Sequence, residues 1–468
     1  MPRPRRFDRN LIVIGGGAAG LMAAQTAARL GAAVSLFEGE ALGGECLHSG
    51  CVPSKAFIDA AERGEDFAAA LASAQRAIAA IAPRDGEARY RGLGVDVRKS
   101  MAVFRDPWTV RSGTGDELTA RAFVIATGAA PLIPALPGLS GAPFSTTQSV
   151  WHLPTLPRRL VVLGGGAAGI ELGQAFARLG AAVSVIERAP RLLPGEDEEA
   201  ASLVTESCKR LGMAVFTAAT ADRIERDGTG FTLLFRQSTV LHRLPFDHLL
   251  LTLGKRPRLE GLEALGLALT PSGHLRTDRH LRTSLPHVFA AGDVTAEGGA
   301  TPLAGQHGVY AALNALLGPL IRLSPPRHAR PAALFTTPPI ARIGLTAADA
   351  AASGLAHEVI RFSLAELDRA AITGKTEGFI KLIVRQGDGR LLGALAAGGA
   401  AVETIGEMAL AIHHRLTVKD LAAVLHPYPG WGEAFGRAAA EWRLARLSPR
   451  LSHWGGRFFR WQRGKEAS

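Results

Sequence analysis

Short, wholly apolar runs that stop at glycine recur along the chain, and two of them open the same larger pattern. Leu-Ile-Val-Ile at 11–14 is the kind of run that a strand buried on both faces shows, and it stops at Gly15. An Ala-rich stretch at 21–30 reads as a helix, and a second apolar run at 34–37 ends on Glu38. The pattern returns at 160–163, 170–179 and 183–186, where it ends on Glu187. Gly-Gly-Gly-Ala-Ala-Gly is identical in the two copies, at 15–20 and 164–169, and Ala-Arg-Leu-Gly-Ala-Ala-Val-Ser follows in both. The spacing predicts two strand–turn–helix–strand units.

Between and beyond them, residues 60–81 read as a helix, and 93–125 as strands with turns at Asp106-Pro107 and 112–115. Apolar runs at 123–126, 249–253 and 288–291 each lead into a small-residue turn, at Thr127-Gly128, Gly254 and Gly292-Asp293. The proline-rich stretch 131–157 reads as a connection between domains, and Pro325-Pro326 and Pro338-Pro339 bracket another linker. Strands at 379–384 and 391–396 with helices at 401–413 and 417–424 predict a third domain of α+β type.

The repeated turn has a chemical reading. Gly15 and Gly164 permit a tight turn, Gly17 and Gly166 let the backbone approach a pyrophosphate, and Gly20 and Gly169 let helix and strand pack closely. The helix N-terminus then binds phosphate. Glu38 and Glu187 stand where a carboxylate accepts from a ribose hydroxyl. A carboxylate at 187 favours NAD and repels the 2′-phosphate of NADP, with Arg188 softening the preference. Two dinucleotide-binding domains are therefore expected.

Cys46 and Cys51 lie five residues apart among glycines. Pro53 places Cys51 where a helix begins, with Lys55 one turn into it. A thiol there meets the positive end of the backbone dipole, so its thiolate is favoured. His48 lies between the cysteines, but no second ligand cluster accompanies it, so no metal site is expected. Cys208 falls in a helical stretch and reads as a buried small hydrophobe.

Composition narrows the setting. The 468 residues are 47% hydrophobic, enough for a full core without disulfide staples. There is no uninterrupted run of about 18 apolar residues of the kind that spans a membrane. Three cysteines suit a reducing compartment, and the basic N-terminus runs straight into a strand, so a cytoplasmic protein is expected. The net charge of +11 is concentrated at the ends, with Arg3, Arg5 and Arg6 at one and 443–465 at the other. No nucleic-acid-binding pattern accompanies it, so no nucleic acid is expected as a partner.

With these motifs in order from about 8 to 440, the chain resembles the flavoprotein (class I pyridine nucleotide-disulfide) oxidoreductases, the family of dihydrolipoamide dehydrogenase and mercuric reductase. Gly-Gly-Glu-Cys-Leu-His-Ser-Gly-Cys-Val-Pro-Ser-Lys at 43–55 is similar to its redox-active disulfide motif, and the turns at Thr127-Gly128 and Gly292-Asp293 resemble its later FAD signatures. The resemblance implies an α/β fold with FAD-binding (1–150 and 275–330) and NAD(P)-binding (151–274) Rossmann-like domains. An α+β dimerisation domain (331–440) and a basic aromatic tail (441–468) would follow. It implies FAD and NAD(H) as cofactors, with NADP(H) as the alternative, and a homodimer acting on a small-molecule acceptor. Hydride would pass from nicotinamide to FAD and on to a Cys46–Cys51 disulfide, with Cys51 as the flavin-side thiolate and Cys46 as the interchange thiol. Lys55 and Glu171 match the family's ion pair near the flavin, and Asp293 its acid on the ribityl chain; Gly44 and Ala304 join the FAD set.

One motif departs. The family's disulfide-substrate members carry His-Pro-Thr-x-Ser-Glu near the end, with the His as acid/base and the Glu orienting it. Here the stretch is His426-Pro427-Tyr428-Pro429-Gly430-Trp431-Gly432-Glu433. Aligned on Pro429 and Glu433, Tyr428 takes the His position; aligned on His-Pro, His426 does, two residues further from Glu433. The chain resembles the mercuric branch here, yet has no cysteine after Cys208, so Hg(II) is not the expected substrate. Two alternatives stand beside disulfide reduction: a quinone or metal-ion reductase in which the disulfide is secondary, and a flavoprotein redox sensor or membrane-associated interaction protein. Trp442, Leu444, Leu447, Leu451, Trp454, Phe458, Phe459 and Trp461 interleave with arginines, a composition suited to peripheral membrane contact through 441–463. Pro449 and Gly455-Gly456 are expected to break any long helix there.

Overall fold

The structure is a computed structural model that describes residues 4–464, except 229, 319, 327–329 and 447. Arg3, Leu447 and 465–468, named above for charge or aromatic character, lie outside the described residues. Two compact units emerge: Met1–Glu196 with Thr205–Pro326, and Asp197–Val204 with Arg327–Ser468.

The first unit holds both repeated patterns. Arg9–Ile14 pairs in parallel with Val34–Glu38 on one side and Glu117–Ile125 on the other. Asp96–Lys99 extends one flank, and Val288–Ala290 joins Glu117–Ile125 in parallel. Thr109–Ser112 and Ala102–Asp106 complete the seven-stranded sheet with antiparallel pairings. The helices Ala18–Arg29 and Thr301–Leu317 cover one face, and the strands Ala102–Asp106 and Thr109–Ser112 with Leu262, Leu265 and Leu275 cover the other. That is why Leu11, Ile12 and Val13 are apolar without alternation and all fully buried. The second copy builds a parallel sheet in the order Ala214–Phe216, Ala182–Ile186, Arg159–Leu163, His248–Leu251, Phe144–Thr146. A separate antiparallel sheet, Ala219–Asp227, Gly230–Gln237 and Val240–Phe246, lies beside it in sequence.

Three local expectations change. The helix expected over 60–81 is two helices, Cys51–Glu62 and Phe67–Asp85, because Gly64 turns the chain with φ of 76° and the Asp66 carboxylate caps the second by accepting from Ala69 N. The stretch 131–157 is more than a connection. Phe144–Thr146 is a strand of the second sheet, and Leu139 packs into that sheet's core. Conversely, Leu262, Leu265 and Leu275 pack with the first sheet's core. The tail contains a continuous helix, Pro449–Gln462. Pro449 starts it, where a missing N–H is no loss, and its two glycines each cost only about 1 kcal/mol.

The second unit is an antiparallel five-stranded sheet, ordered Pro331–Leu334, Ile340–Gly344, Leu391–Ala397, Phe379–Arg385, His357–Ser363. The helices Ala401–His413 and Glu433–Ala445 pack on it through Met408, Ile412, Phe435 and Ala439. The short segment 197–204 belongs here because Asp197 and Lys381 pair at 2.8 Å, both largely buried.

Candidate functional site

Gly43 and Gly44 turn the chain into a short helix, Gly44–His48, that ends one turn before Cys51. Cys51 is the first residue of the helix Cys51–Glu62. The intervening loop is pinned from outside: the Trp151 indole donates to Ser49 O at 2.8 Å and to Thr147 O at 3.0 Å. His48 is engaged with Leu42 O at 2.8 Å, and among the described residues no group of three or more metal-ligating side chains occurs.

Both cysteines are free thiols, Cys46 half-buried and Cys51 exposed. Their titrations are driven apart. Contact with Cys46 lowers the Cys51 thiol from 9.0 to about 5, helped by the Thr301 hydroxyl and by the charges of Lys55 and Lys255. Contact with Cys51, then burial, raises Cys46. One negative charge therefore settles on Cys51 while Cys46 keeps its proton. Thr301, the first residue of the helix Thr301–Leu317, lies 3.5 Å from the Cys51 sulfur.

Three segments meet this loop. Lys55 reaches Glu171 of the helix Ala167–Arg178 at 2.7 Å, so the second repeat touches the dithiol helix. Lys255 bridges Glu45, at 2.8 Å, and Asp293, at 3.4 Å. Gly44 abuts the first glycine turn: a Cβ on it would come 2.7 Å from the Gly17 Cα. Sequence reasoning found Lys55, Glu171, Asp293 and Gly44 but missed Lys255 and Thr301. The available signals were a cation directly after the Gly254 turn and a hydroxyl at a helix start shortly after Asp293.

The two glycine turns are built alike. Gly15 and Gly164 have φ of 102° and 110°, and a Cβ on either would collide with backbone. A Cβ on Gly166 would meet nothing within 4 Å, and on Gly17 only Gly44 Cα at 3.9 Å. The space before each turn is thus open, and a side chain there would fill the cradle that a pyrophosphate needs. Gly20 and Gly169 pack onto the carbonyls of Gly15 and Gly164. Glu38 accepts from Gly16 N at 2.6 Å and Glu40 N at 2.7 Å; Glu187 accepts from Gly165 N and Ala189 N, both at 2.6 Å. Each carboxylate ties its turn shut and keeps free lone pairs for a ribose. Thr127 donates to Arg258 O at 2.6 Å beside Gly128, and Gly254 lies in the turn that follows the strand His248–Leu251 of the second sheet. Asp293 accepts from Gly299 N at 2.8 Å, and Gly292 packs near Ala304. These residues fit FAD at the first turn and a nicotinamide dinucleotide at the second.

The second unit holds the departing motif. His426, largely buried, bonds Glu407 at 2.9 Å. Glu433 instead accepts from Gly430 N at 3.0 Å, so the carboxylate expected to orient a histidine caps its own loop. Tyr428 is 71% exposed and donates to Asp368 at 2.9 Å, and that bond and charge raise its pKa.

Two sheets whose glycine turns follow parallel strands and leave open cradles, with an asymmetric dithiol between the turns, define a dithiol oxidoreductase served by two dinucleotides. Residues 9–314 match the pyridine nucleotide-disulphide oxidoreductase family and 330–439 its dimerisation domain. The chain belongs to that family, whose members use FAD and NAD(P)H. Dihydrolipoyl dehydrogenase of Bacillus subtilis is 34% identical over 457 residues, 92% of this chain and 96% of that one. Mercuric reductase of Shigella flexneri is 35% identical over 451 residues, 90% of this chain and 78% of that one. Among solved structures, the HOCl-induced flavoprotein disulfide reductase RclA from Escherichia coli has a TM-score of 0.85 at 26% identity, covering 92% of this chain and 99% of that one. LpdA from Mycobacterium tuberculosis has the same TM-score at 29% identity, with the same coverage.

Proposed function

We propose that this FAD-dependent NAD(P)H oxidoreductase delivers electrons through Cys46 and Cys51 to a small disulfide acceptor. The observation that carries the reading is a pair of free thiols set differently in the fold. Cys51 opens one helix beside Thr301, Lys55 and Lys255, which favour its thiolate. Cys46 sits half-buried on the short helix before it, where contact with Cys51 keeps it protonated. When bound, the nicotinamide and flavin supply the hydride chemistry that reduces the disulfide. The Cys46 sulfur attacks the acceptor disulfide, and its proton goes to the departing thiolate. The Cys51 thiolate then attacks the Cys46 sulfur and releases the second thiolate, which takes a proton from solvent or a nearby acid. The Cys46–Cys51 bond closes, and two electrons have moved to the acceptor.

Lys55, Lys255 and Thr301 hold the charge on Cys51 in this reading, and Glu171 positions Lys55. Gly15, Gly17, Gly20, Glu38, Gly44, Thr127, Gly128, Gly292, Asp293 and Ala304 hold FAD. Gly164, Gly166, Gly169, Glu187 and Gly254 hold the nicotinamide dinucleotide, with NADH preferred. The enzyme is a cytoplasmic homodimer with a peripheral lipid contact through 441–463.

A second reading has an observation of its own. In the alignment on Pro429 and Glu433, Tyr428 takes the place of the family's base, and the Asp368 carboxylate it bonds raises its pKa, so the phenol stays protonated at neutral pH. A quinone or metal ion accepts electrons without a base that deprotonates Cys46.

Rapid mixing of the oxidised holoenzyme with NADH tests both. A long-wavelength charge-transfer band that Cys51→Ser removes supports the thiolate assignment; a wild type without the band overturns it. An acceptor panel of lipoamide, glutathione disulfide and quinones follows. Cys46→Ser abolishes disulfide turnover on the first reading and spares quinone turnover on the second.

A further inference from the structure

The aromatic residues after Glu441 fall into two groups. Trp442 packs against the second unit's core, and its indole donates to Glu358 at 3.1 Å. Arg446 pairs with the same Glu358 and lies 4.0 Å above the Trp442 ring. These side chains serve the fold. In the helix Pro449–Gln462, by contrast, Trp454, Phe458, Phe459 and Trp461 are each half or more exposed. Soluble surfaces seldom gather so many large rings without a partner.

The positions are ordered. Trp454, Phe458 and Trp461 recur at i, i+4 and i+7 and so share a face, with Phe458 and Trp461 rings 5.9 Å apart. His453, Arg457 and Arg460 keep the same spacing one position earlier, a stripe about 100° round the helix. From Trp442 to Gly464 the sequence has six arginines and no carboxylate. Among the described residues, neither Arg457 nor Arg460 pairs with a carboxylate, and Arg457 rests 5.6 Å from the Trp454 ring centre.

We propose that the helix Pro449–Gln462 lies in the headgroup layer of an anionic lipid bilayer. The Trp454–Phe458–Trp461 face turns toward the acyl chains, and the His453–Arg457–Arg460 stripe meets lipid phosphates. Indoles suit that boundary because one edge is polar, and arginine stems lie along apolar surface while the guanidinium stays wet. Charge complementarity selects this occupant: an unpaired basic stripe flanking an apolar face matches a negatively charged leaflet. A single-stranded nucleic acid would instead be served by rings and cations interleaved along one groove. The proposal deepens the peripheral contact and stands apart from the redox reading.

The test uses the full-length holoenzyme with vesicles of phosphatidylcholine alone or mixed with phosphatidylglycerol. Wild type is expected to co-sediment with the mixed vesicles only, and less so as salt rises. The variant W454S/F458S/W461S loses co-sedimentation, and R457Q/R460Q binds on the order of thirtyfold more weakly. NADH-driven flavin reduction stays at the wild-type rate in both variants, which also shows that they fold. Four results would overturn the proposal: wild type that stays in the supernatant, equal binding to neutral vesicles, a triple variant that still sediments, or a triple variant whose subunit assembly fails. The last would mark the helix as part of the dimer, and preferential competition by single-stranded DNA would assign the stripe to nucleic acid.

Discussion

Lys55 and Glu171, 116 positions apart, form a 2.7 Å ion pair in which the carboxylate is almost wholly buried and the ammonium is about a third exposed. The pair joins the dithiol helix to the glycine-turn helix of the second repeat.

Its asymmetry makes an unequal prediction. Lys55→Met takes the cation from a largely buried carboxylate, a loss of at most about 3 kcal/mol, less whatever Glu171's other contacts offset. Glu171→Gln keeps a hydrogen-bonding group, and Lys55 reaches water, so the loss is about 1 kcal/mol. Denaturant unfolding of the holoenzyme, followed by flavin release, should rank Lys55→Met below Glu171→Gln. Equal losses would mean that the carboxylate has other compensation.

The split between the cysteines predicts a pH dependence specific to the reduced enzyme. Cys51 is lowered from 9.0 to about 5 in the folded protein, so its contribution is present above pH 9 and is lost as pH falls through about 5. Cys46 is raised, so its contribution is present below its unfolded pKa and is lost above it. Reduced enzyme should therefore gain stability as pH rises from about 5 toward 9, then lose some beyond. Oxidised enzyme and Cys51→Ser should lack the rise. Thermal denaturation across pH, with and without reductant, measures it.

Lys255 was not visible as a site residue because nothing in its neighbourhood repeats or matches spacing. Only the fold brings it to Glu45 and Asp293. Lys255→Met should move the Cys51 titration upward, and Lys255→Arg should largely restore it. Thiolate absorbance of the reduced enzyme against pH reads the shift directly, and an unchanged titration would reduce Lys255 to a brace for the Glu45 turn.

The glycine turns, by contrast, were legible in full, since each glycine there answers a local backbone demand that sequence spacing records. Cys51 at a helix start was legible for the same reason: Pro53 marks the first turn. The break at Gly64 and Asp66 was hidden by the alanine-rich composition on both sides, although both signals were present. The limits of the sheets were not legible, because Phe144–Thr146 joins the second sheet by long-range pairing and Leu262, Leu265 and Leu275 pack into the first sheet's core, neither of which a local pattern encodes. The partner of His426 was missed because Glu407 comes from a different helix.

Glu187 carries a prediction about the dinucleotide. Its two oxygens hold Gly165 N and Ala189 N, which fixes the carboxylate at the second glycine turn, and on the proposed reading a 2′-phosphate would meet it there. Glu187→Ala removes that repulsion and one charged acceptor, a change of roughly 2 kcal/mol. The ratio of kcat/KM for NADH over NADPH should fall by on the order of tenfold or more. An unchanged ratio would leave Glu187 only its role in closing the turn.

His426 and Tyr428 can be separated by what each change should spare. His426 is buried against Glu407, and its ring packs so closely that a Cβ on Gly436 would lie 2.8 Å from Nδ1. His426→Ala therefore opens a polar cavity and should cost on the order of 2 kcal/mol of stability. Tyr428→Phe removes only an exposed hydroxyl bonded to Asp368, so stability should change by less than about 0.5 kcal/mol. If the phenol binds or protonates the acceptor, Tyr428→Phe should lower acceptor turnover while NADH-driven flavin reduction keeps its rate. Steady-state turnover beside single-turnover reduction separates the two half-reactions. A Tyr428→Phe enzyme with full turnover, paired with a stable but inactive His426→Gln enzyme, would move the acid/base assignment to the His426–Glu407 pair.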